Sequence, residues 1–277
     1  MTTRIAFQGE PGAYSHQACR EARPDMEAVS CGTFEDVIET VRQGDAELAM
    51  LPIENSTYGR VADIHRLMPA SGLHIVAEAF VRVHINLLAV SGTRIEDVKS
   101  ALSHTVLLGQ CRDFLRKHGI SLIASADTAG SAEHVAKSQD PKIAALASEL
   151  AAEIYGLDIL ARHIEDHTHN TTRFLLMARE PDHSRRGDAG MITSFVFRVR
   201  NIPAALYKAT GGFATNGVNI TKLESYMVDG SFSATQFYAD IEGHPDDQNV
   251  RLALEELEYF TSQWTLLGVY AADPRRR

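Results

Sequence analysis

Residues 26–53, MEAVSCGTFEDVIETVRQGDAELAMLPI, decide the fold. MEAVSC (26–31) reads as a short strand, and TFEDVIETVRQG (33–44) as a helix with Thr33 as N-cap and Asp36 in its first turn. ELAMLPI (47–53) is a strand again, so the stretch spells strand, helix, strand, which favours a parallel sheet covered by helices. The segment before it has the same form: RIAFQG (4–9) is a short buried strand, GEPG a strand-to-helix turn and GAYSHQACREA (12–22) a helix.

Downstream, LHIVAEAF (73–80) and VRVHINLLAV (81–90) read as consecutive long strands. The βα alternation then resumes through ALSH, GQCRDFLRKHG, SLIAS and GSAEHVAKS, so a second α/β lobe begins near residue 80. KIAALASELAAEIYG and LDILARHI continue it, and TTRFLLMA (171–178) supplies a strand that returns the chain to the first lobe. Two lobes with crossing strands make a cleft, where small ligands usually sit. REPDHSRRGDAG (179–190) loses periodicity and gathers charge, Pro and Gly, as a linker does, with its bounds set at 181–191. From there SFVFRV, PAALYKATGGFATNG, NITKLESYMV, SFSATQFYADIEG, DDQNVRLALEELEYFTSQ and WTLLGVYA spell βαββαβ, a ferredoxin-like order. Its stripe of Phe195, Phe197, Leu206 and Phe213 is expected to be plain core.

The bulk numbers agree with two domains or more. A chain of 277 residues passes the size at which one core keeps growing, and 44% hydrophobic residues are enough for a sizeable interior. A formal charge of −9 argues against a nucleic-acid partner, so any anionic ligand must be held by local positive features. Cys19, Cys31 and Cys111 are odd in number and form no CxxC, as expected of reduced thiols in a cytoplasmic protein rather than of a disulfide framework or zinc knuckle. MTTRIAFQGEPG is too short an apolar opening for a secretory signal, and no run of about 18 apolar residues predicts a membrane span.

Four stretches gather polar groups at strand ends or helix starts: GEPGAYSHQA, LPIENSTYGRV, DTAGSAEH and HNTTRF. The Gly-rich turns before Tyr14 and Ser131 offer unpaired N–H groups to a carboxylate or phosphate. The local alternatives are a tight turn with Ser15 as cap, and Asp127 and Thr128 capping the next helix. Glu54, Asn55, Ser56 and Thr57 follow an apolar strand with no helical pattern to cap, which favours a functional role. Arg173 is open to two readings, a carboxylate clamp or a buried ion-pair partner of Glu54 or Asp166. His163, His167 and His169 with Asp166 imitate a metal site, yet THN is a poor helix former and no HExxH spacing occurs, so no metal is expected.

In this order, GEPGAYSHQA, LPIENSTYGRV, LSHTVLLGQC, DTAGSA and NTTRFLL resemble prephenate dehydratase, and the βαββαβ unit with NGVNITKLES resembles the ACT regulatory domain such enzymes carry. The resemblance covers the chain from Ile5 to about Ala271. It implies an α/β catalytic domain with the two-lobed fold of type 2 periplasmic binding proteins over residues 1–180 (one lobe 1–80 with 165–180, the other 81–164), and an ACT domain over 192–277. It implies no cofactor, and conversion of prephenate to phenylpyruvate, water and carbon dioxide, with arogenate dehydratase as an alternative and a non-catalytic amino-acid or solute sensor as a rival of another class.

Carried onto this chain, the resemblance makes Thr172 the essential threonine, with Glu54, Asn55 and Ser56 as further catalytic candidates. Arg173, Phe174, Ser15, Gln110, Thr128 and Ser131 become substrate-binding candidates. Adjacent strand residues point to opposite faces, so Thr172 and Arg173 should not both face a cleft unless a twist or bulge intervenes. For an L-phenylalanine effector the matching positions are Ala204, Ala205, Leu206, Asn219, Leu223, Glu224 and Ser225. The family's Gly-Ala-Leu is Ala204-Ala205-Leu206 here, and its Arg-Pro is Tyr226-Met227. A homodimer or homotetramer through the ACT domain is expected, since open sheets pair by their edges.

Overall fold

The computed structural model describes residues 3–167, 169–185, 190–227 and 234–276. Residues 186–189 of the expected linker and 231–233 of the expected SFSATQFYADIEG strand lie outside them. Two compact units account for the chain: 1–61 with 79–174, and 62–78 with 175–277. These bounds follow packing and differ from the composition break at 181–191, because 62–78 and 175–180 belong to the second unit.

The elements of the first unit begin with β1 (Arg4–Gln8), α1 (Tyr14–Ala22), β2 (Glu27–Cys31), α2 (Phe34–Gln43), β3 (Leu48–Asn55) and β4 (Gly59–Arg60). After α3 (Ala62–Leu67) and the first residues of β5 (His74–Arg82), which lie in the second unit, come the end of β5, β6 (Asn86–Ala89), β7 (Ser100–Ser103), α4 (Thr105–Gln110), α5 (Arg112–Lys117) and β8 (Ser121–Ala124). The unit closes with α6 (Ala129–Ser138), β9 (Ile143–Ala147), α7 (Glu149–Tyr155), β10 (Asp158–Ala161) and the start of β11 (Thr171–Ala178).

The deciding stretch folds as read. Asp36 N donates to Thr33 Oγ1 and Thr33 N to Asp36 Oδ2, a reciprocal cap at the start of α2. Gly44 at φ 88 ends the helix in the left-handed conformation, and Val37, Ile38 and Val41 are buried. β1 pairs in parallel with both β2 and β3, and β11 lies next to β3. A second sheet runs β10-β6-β9-β7-β8, with its own core of Ile85, Leu87, Ala101, Leu146 and neighbours.

One expectation is corrected here. LHIVAEAF and VRVHINLLAV are not two long strands: β5 runs unbroken to Arg82, and β6 is only four residues long. The reason is tertiary. Val83 N donates to Asn170 O, and Ile85 N to a Glu165 carboxylate oxygen, so the chain leaves one sheet there and crosses to the other. The return crossing lies alongside, with Ile164 N donating to Ile85 O.

The second unit carries β12 (Met191–Arg198), α8 (Ala205–Thr215), β13 (Ile220–Met227), β14 (Ala234–Glu242), α9 (Gln248–Phe260) and β15 (Gln263–Ala271). Its order β13-β14-β12-β15, antiparallel throughout, is the ferredoxin-like arrangement. Phe195, Phe197 and Phe213 are 0–1% exposed in its core, and Leu206 packs against them. Near its C-terminus, Arg276 reaches both oxygens of the buried Glu78 carboxylate at 2.9 Å and Asp240 Oδ2 at 3.1 Å. One guanidinium thus serves two interior carboxylates.

Ala204, the residue before α8, sits at φ 61, ψ 16, a left-handed conformation that costs a residue with a Cβ about 1–2 kcal/mol. Ala204→Gly removes that strain, partly offset by the freedom glycine gains in the unfolded chain. The expected outcome is a gain of about 0.5–1 kcal/mol, read as a higher urea midpoint for this unit.

Candidate active site

β3 is apolar until Ile53, which is fully buried, and turns polar at its last two residues. Its continuation, Ser56 to Tyr58, is a turn closed by β4, where Gly59 at φ 81 folds the chain back and Asn55 stands opposite Gly59. Asn55 builds that turn itself: its Oδ1 accepts from Thr57 N at 2.9 Å and Tyr58 N at 3.0 Å. Its Nδ2 then donates to Asn170 Oδ1 at 2.8 Å and to Thr172 Oγ1 at 3.0 Å. All four bonds agree on one orientation of the amide.

Asn170 passes the network on. Its Nδ2 donates to Gln110 Oε1 at 2.8 Å, and both side chains are buried, at 2% and 4% exposure. Gln110 ends α4, so this contact joins the β3–β11 edge of one sheet to a helix of the other. Gln110 O also accepts from Asp166 N. Ser56 exchanges bonds with the neighbouring strand: its hydroxyl accepts from Thr171 N and donates to His169 O, while Ser56 N donates to Thr171 O. Ser56 therefore staples the turn to the entrance of β11.

Alternation along β3 and β11 separates two pairs. Asn55 meets Thr172, and one residue along, Glu54 meets Arg173, with Arg173 Nη1 2.9 Å from Glu54 Oε1. Arg173 is paired with Glu54, the arginine side chain being 3% exposed. No twist or bulge is needed to reconcile positions 172 and 173, because they serve different partners. Phe174 is 1% exposed inside β11.

The remaining candidates lie apart from this network. α1 has Ala13 as N-cap with no side-chain cap, so Ser15 does not fill the capping role expected of it. At α6, Asp127 rather than Thr128 caps, accepting from Gly130 N, and the buried Ser131 hydroxyl donates to Asp127 O at 2.6 Å. A carboxylate thus occupies the Gly130 N–H at the start of α6. Ala204, Ala205 and Leu206 stand at the start of α8. Asn219 donates to Glu242, Glu224 accepts from Lys222, and Leu223 and Ser225 are exposed on β13, at the end of its sheet.

Asn170 is the residue that the sequence reasoning missed. Its signal was present in HNTTRF: a carboxamide at a strand entrance, two residues before the threonine and on the same side of the alternation. His16 accepts from Gly12 N through Nδ1, and burial, with Arg20 adding to it, pushes its pKa below the ordinary value. The Tyr14 hydroxyl, raised by burial and then by Cys111 and Glu165, stays protonated and donates to His84 O at 2.8 Å. Among the described residues no group of three or more His, Cys, Asp and Glu side chains could hold a metal ion.

The chain has known relatives. Residues 5–182 match the sequence profile of a family described as prephenate dehydratase. A bifunctional N-acyl-homoserine lactone acylase/prephenate dehydratase of Komagataeibacter europaeus is 50% identical over 99% of this chain and 97% of its own. An arogenate dehydratase/prephenate dehydratase of Arabidopsis thaliana is 40% identical over 98% of this chain and 72% of its own. Among solved structures, prephenate dehydratase from Arthrobacter aurescens in complex with L-Phe superposes with a TM-score of 0.88 at 30% identity, covering 98% of this chain and 90% of that one.

Proposed function

Since the chain belongs to the prephenate dehydratase family of hydro-lyases, we propose that it converts prephenate to phenylpyruvate, water and carbon dioxide in phenylalanine biosynthesis. The observation that carries the reading is the Thr172–Asn55 contact at 3.0 Å, made between residues 117 positions apart in the sequence. Asn55 Nδ2 can only donate, so Thr172 Oγ1 accepts from it and its own proton is directed to another group. In this reading that group is the ring hydroxyl of the substrate.

The electrons of the breaking carboxylate C–C bond move into the ring, the C–O bond breaks, and aromatisation drives both. The leaving oxygen departs as water after taking one proton, ultimately from solvent. Thr172 donates a hydrogen bond to that oxygen as negative charge develops on it, and Asn55 fixes the hydroxyl's direction. Asn170, Gln110 and Ser56 hold Asn55 and the β11 entrance in place. Glu54 and Arg173 support this edge from the other side of the strands. Incubation of purified protein with prephenate and, separately, arogenate tests the reading: phenylpyruvate from prephenate supports it, phenylalanine from arogenate alone reassigns the substrate, and no product from either refutes it.

The domain assignment follows: residues 1–180 are catalytic, and 192–277 form an ACT-type regulatory domain through which copies of the chain associate. L-phenylalanine is its effector, a view supported by the L-Phe complex of the 30% identical relative. Calorimetry with L-phenylalanine is expected to give binding heat accompanied by inhibition; a flat titration with unchanged activity would leave the domain to assembly alone. A second reading comes from the 50% identical bifunctional relative. It adds hydrolysis of N-acyl-homoserine lactones, tested by release of the free homoserine lactone.

A further inference from the structure

The Tyr58 hydroxyl donates to Val106 O at 2.9 Å. Tyr58 belongs to the turn that Asn55 builds, and Val106 to α4 of the other sheet's half. The far end of α4 is Gln110, already tied to Asn170 and through it to Asn55. These two contacts therefore join the halves of the first unit beside the amide that orients Thr172.

The two joints differ in kind. The Asn170–Gln110 contact is buried, whereas Tyr58 is 50% exposed, so water competes for its hydroxyl and its bond can open and re-form. Opening it releases the Val106 end of α4 from the turn, and the paired crossings at residues 83–85 and 162–164 are the chain's routes between the halves. Position 109 fits the same purpose. A Cβ on Gly109 would lie 3.2 Å from the Tyr58 hydroxyl oxygen, so glycine leaves the hydroxyl room to reach the helix.

We propose that Tyr58 is a positioning residue that clasps α4 to the Asn55 turn and so sets the closure of the two halves over the substrate. The proposal rests on the dehydratase reading of the Thr172–Asn55 site. One neutral hydrogen bond shifts a two-state balance by about two- to tenfold, which sets the size of the effect.

The test is a double-mutant cycle of Tyr58→Phe and Gly109→Ala on the full chain, with steady-state kinetics on prephenate and amide hydrogen exchange on the free protein. Tyr58→Phe is expected to raise KM about two- to tenfold, with kcat changing less than KM, and to speed exchange at 57–58 and 106–110. Gly109→Ala should have a similar effect alone and none in the Tyr58→Phe background, where the oxygen it crowds is gone. Additive effects, a fall in kcat at constant KM, or unchanged exchange in Tyr58→Phe would overturn the clasp. If the unaltered protein turns over neither prephenate nor arogenate, the dehydratase reading fails by itself, and exchange at 57–58 and 106–110 decides the clasp.

Discussion

Replacing Glu54 by alanine is expected to lower the stability of the first unit by about 3–5 kcal/mol. The reason is the environment of its partner: the Arg173 side chain is 3% exposed and lies 2.9 Å from the Glu54 carboxylate. A guanidinium cannot discard its proton, so taking the carboxylate away leaves the charge in place and removes the acidic group 2.9 Å from it. Arg173→Met should be milder, about 1–3 kcal/mol, because Glu54 is 29% exposed and can turn to water. Combining Glu54→Leu with Arg173→Met should recover most of the loss, as buried pairs exchanged for apolar residues of like volume often do. Urea denaturation of the four proteins reads these differences. If Glu54→Ala were as stable as the parent yet lost its turnover, Glu54 would belong to the chemistry and not to this ion pair.

How much of this was legible in the sequence depended on the range of the interaction. The α2 helix, with Thr33 and Asp36 in reciprocal bonds and Gly44 at its end, is local, and so it could be read residue by residue. The βαββαβ order of the second unit was legible for the same reason, from apolar periods between turns. The break between β5 and β6 was not, because it is decided by Val83 and Ile85 donating to groups some 80 or more residues away. The roles of Thr172 and Arg173 were left in conflict by alternation alone. The side-chain contacts between β11 and β3 separate them, with Asn55 against Thr172 and Glu54 against Arg173. At Asp127 and Thr128 the residue types were right for capping, and geometry chose Asp127 over the threonine hydroxyl.

The largest kinetic effect is expected at Thr172. Valine there keeps nearly the same volume and removes only the hydroxyl, so binding of the substrate should change little while the hydrogen bond to the departing oxygen is lost. A positioned proton or hydrogen-bond donor contributes on the order of 10²–10⁴ in rate. Thr172→Ser restores the hydroxyl next to Asn55 Nδ2, which lies 3.0 Å from Thr172 Oγ1 in the parent, and should recover most of the activity.

The direct measurement is phenylpyruvate formation from prephenate under single-turnover conditions by the parent, Thr172→Val and Thr172→Ser proteins, with substrate affinity determined alongside. The account predicts that valine slows the bond-breaking step by on the order of 10²–10⁴ at nearly unchanged affinity and that serine brings the rate back. A valine protein that forms phenylpyruvate at close to the parent rate would contradict it.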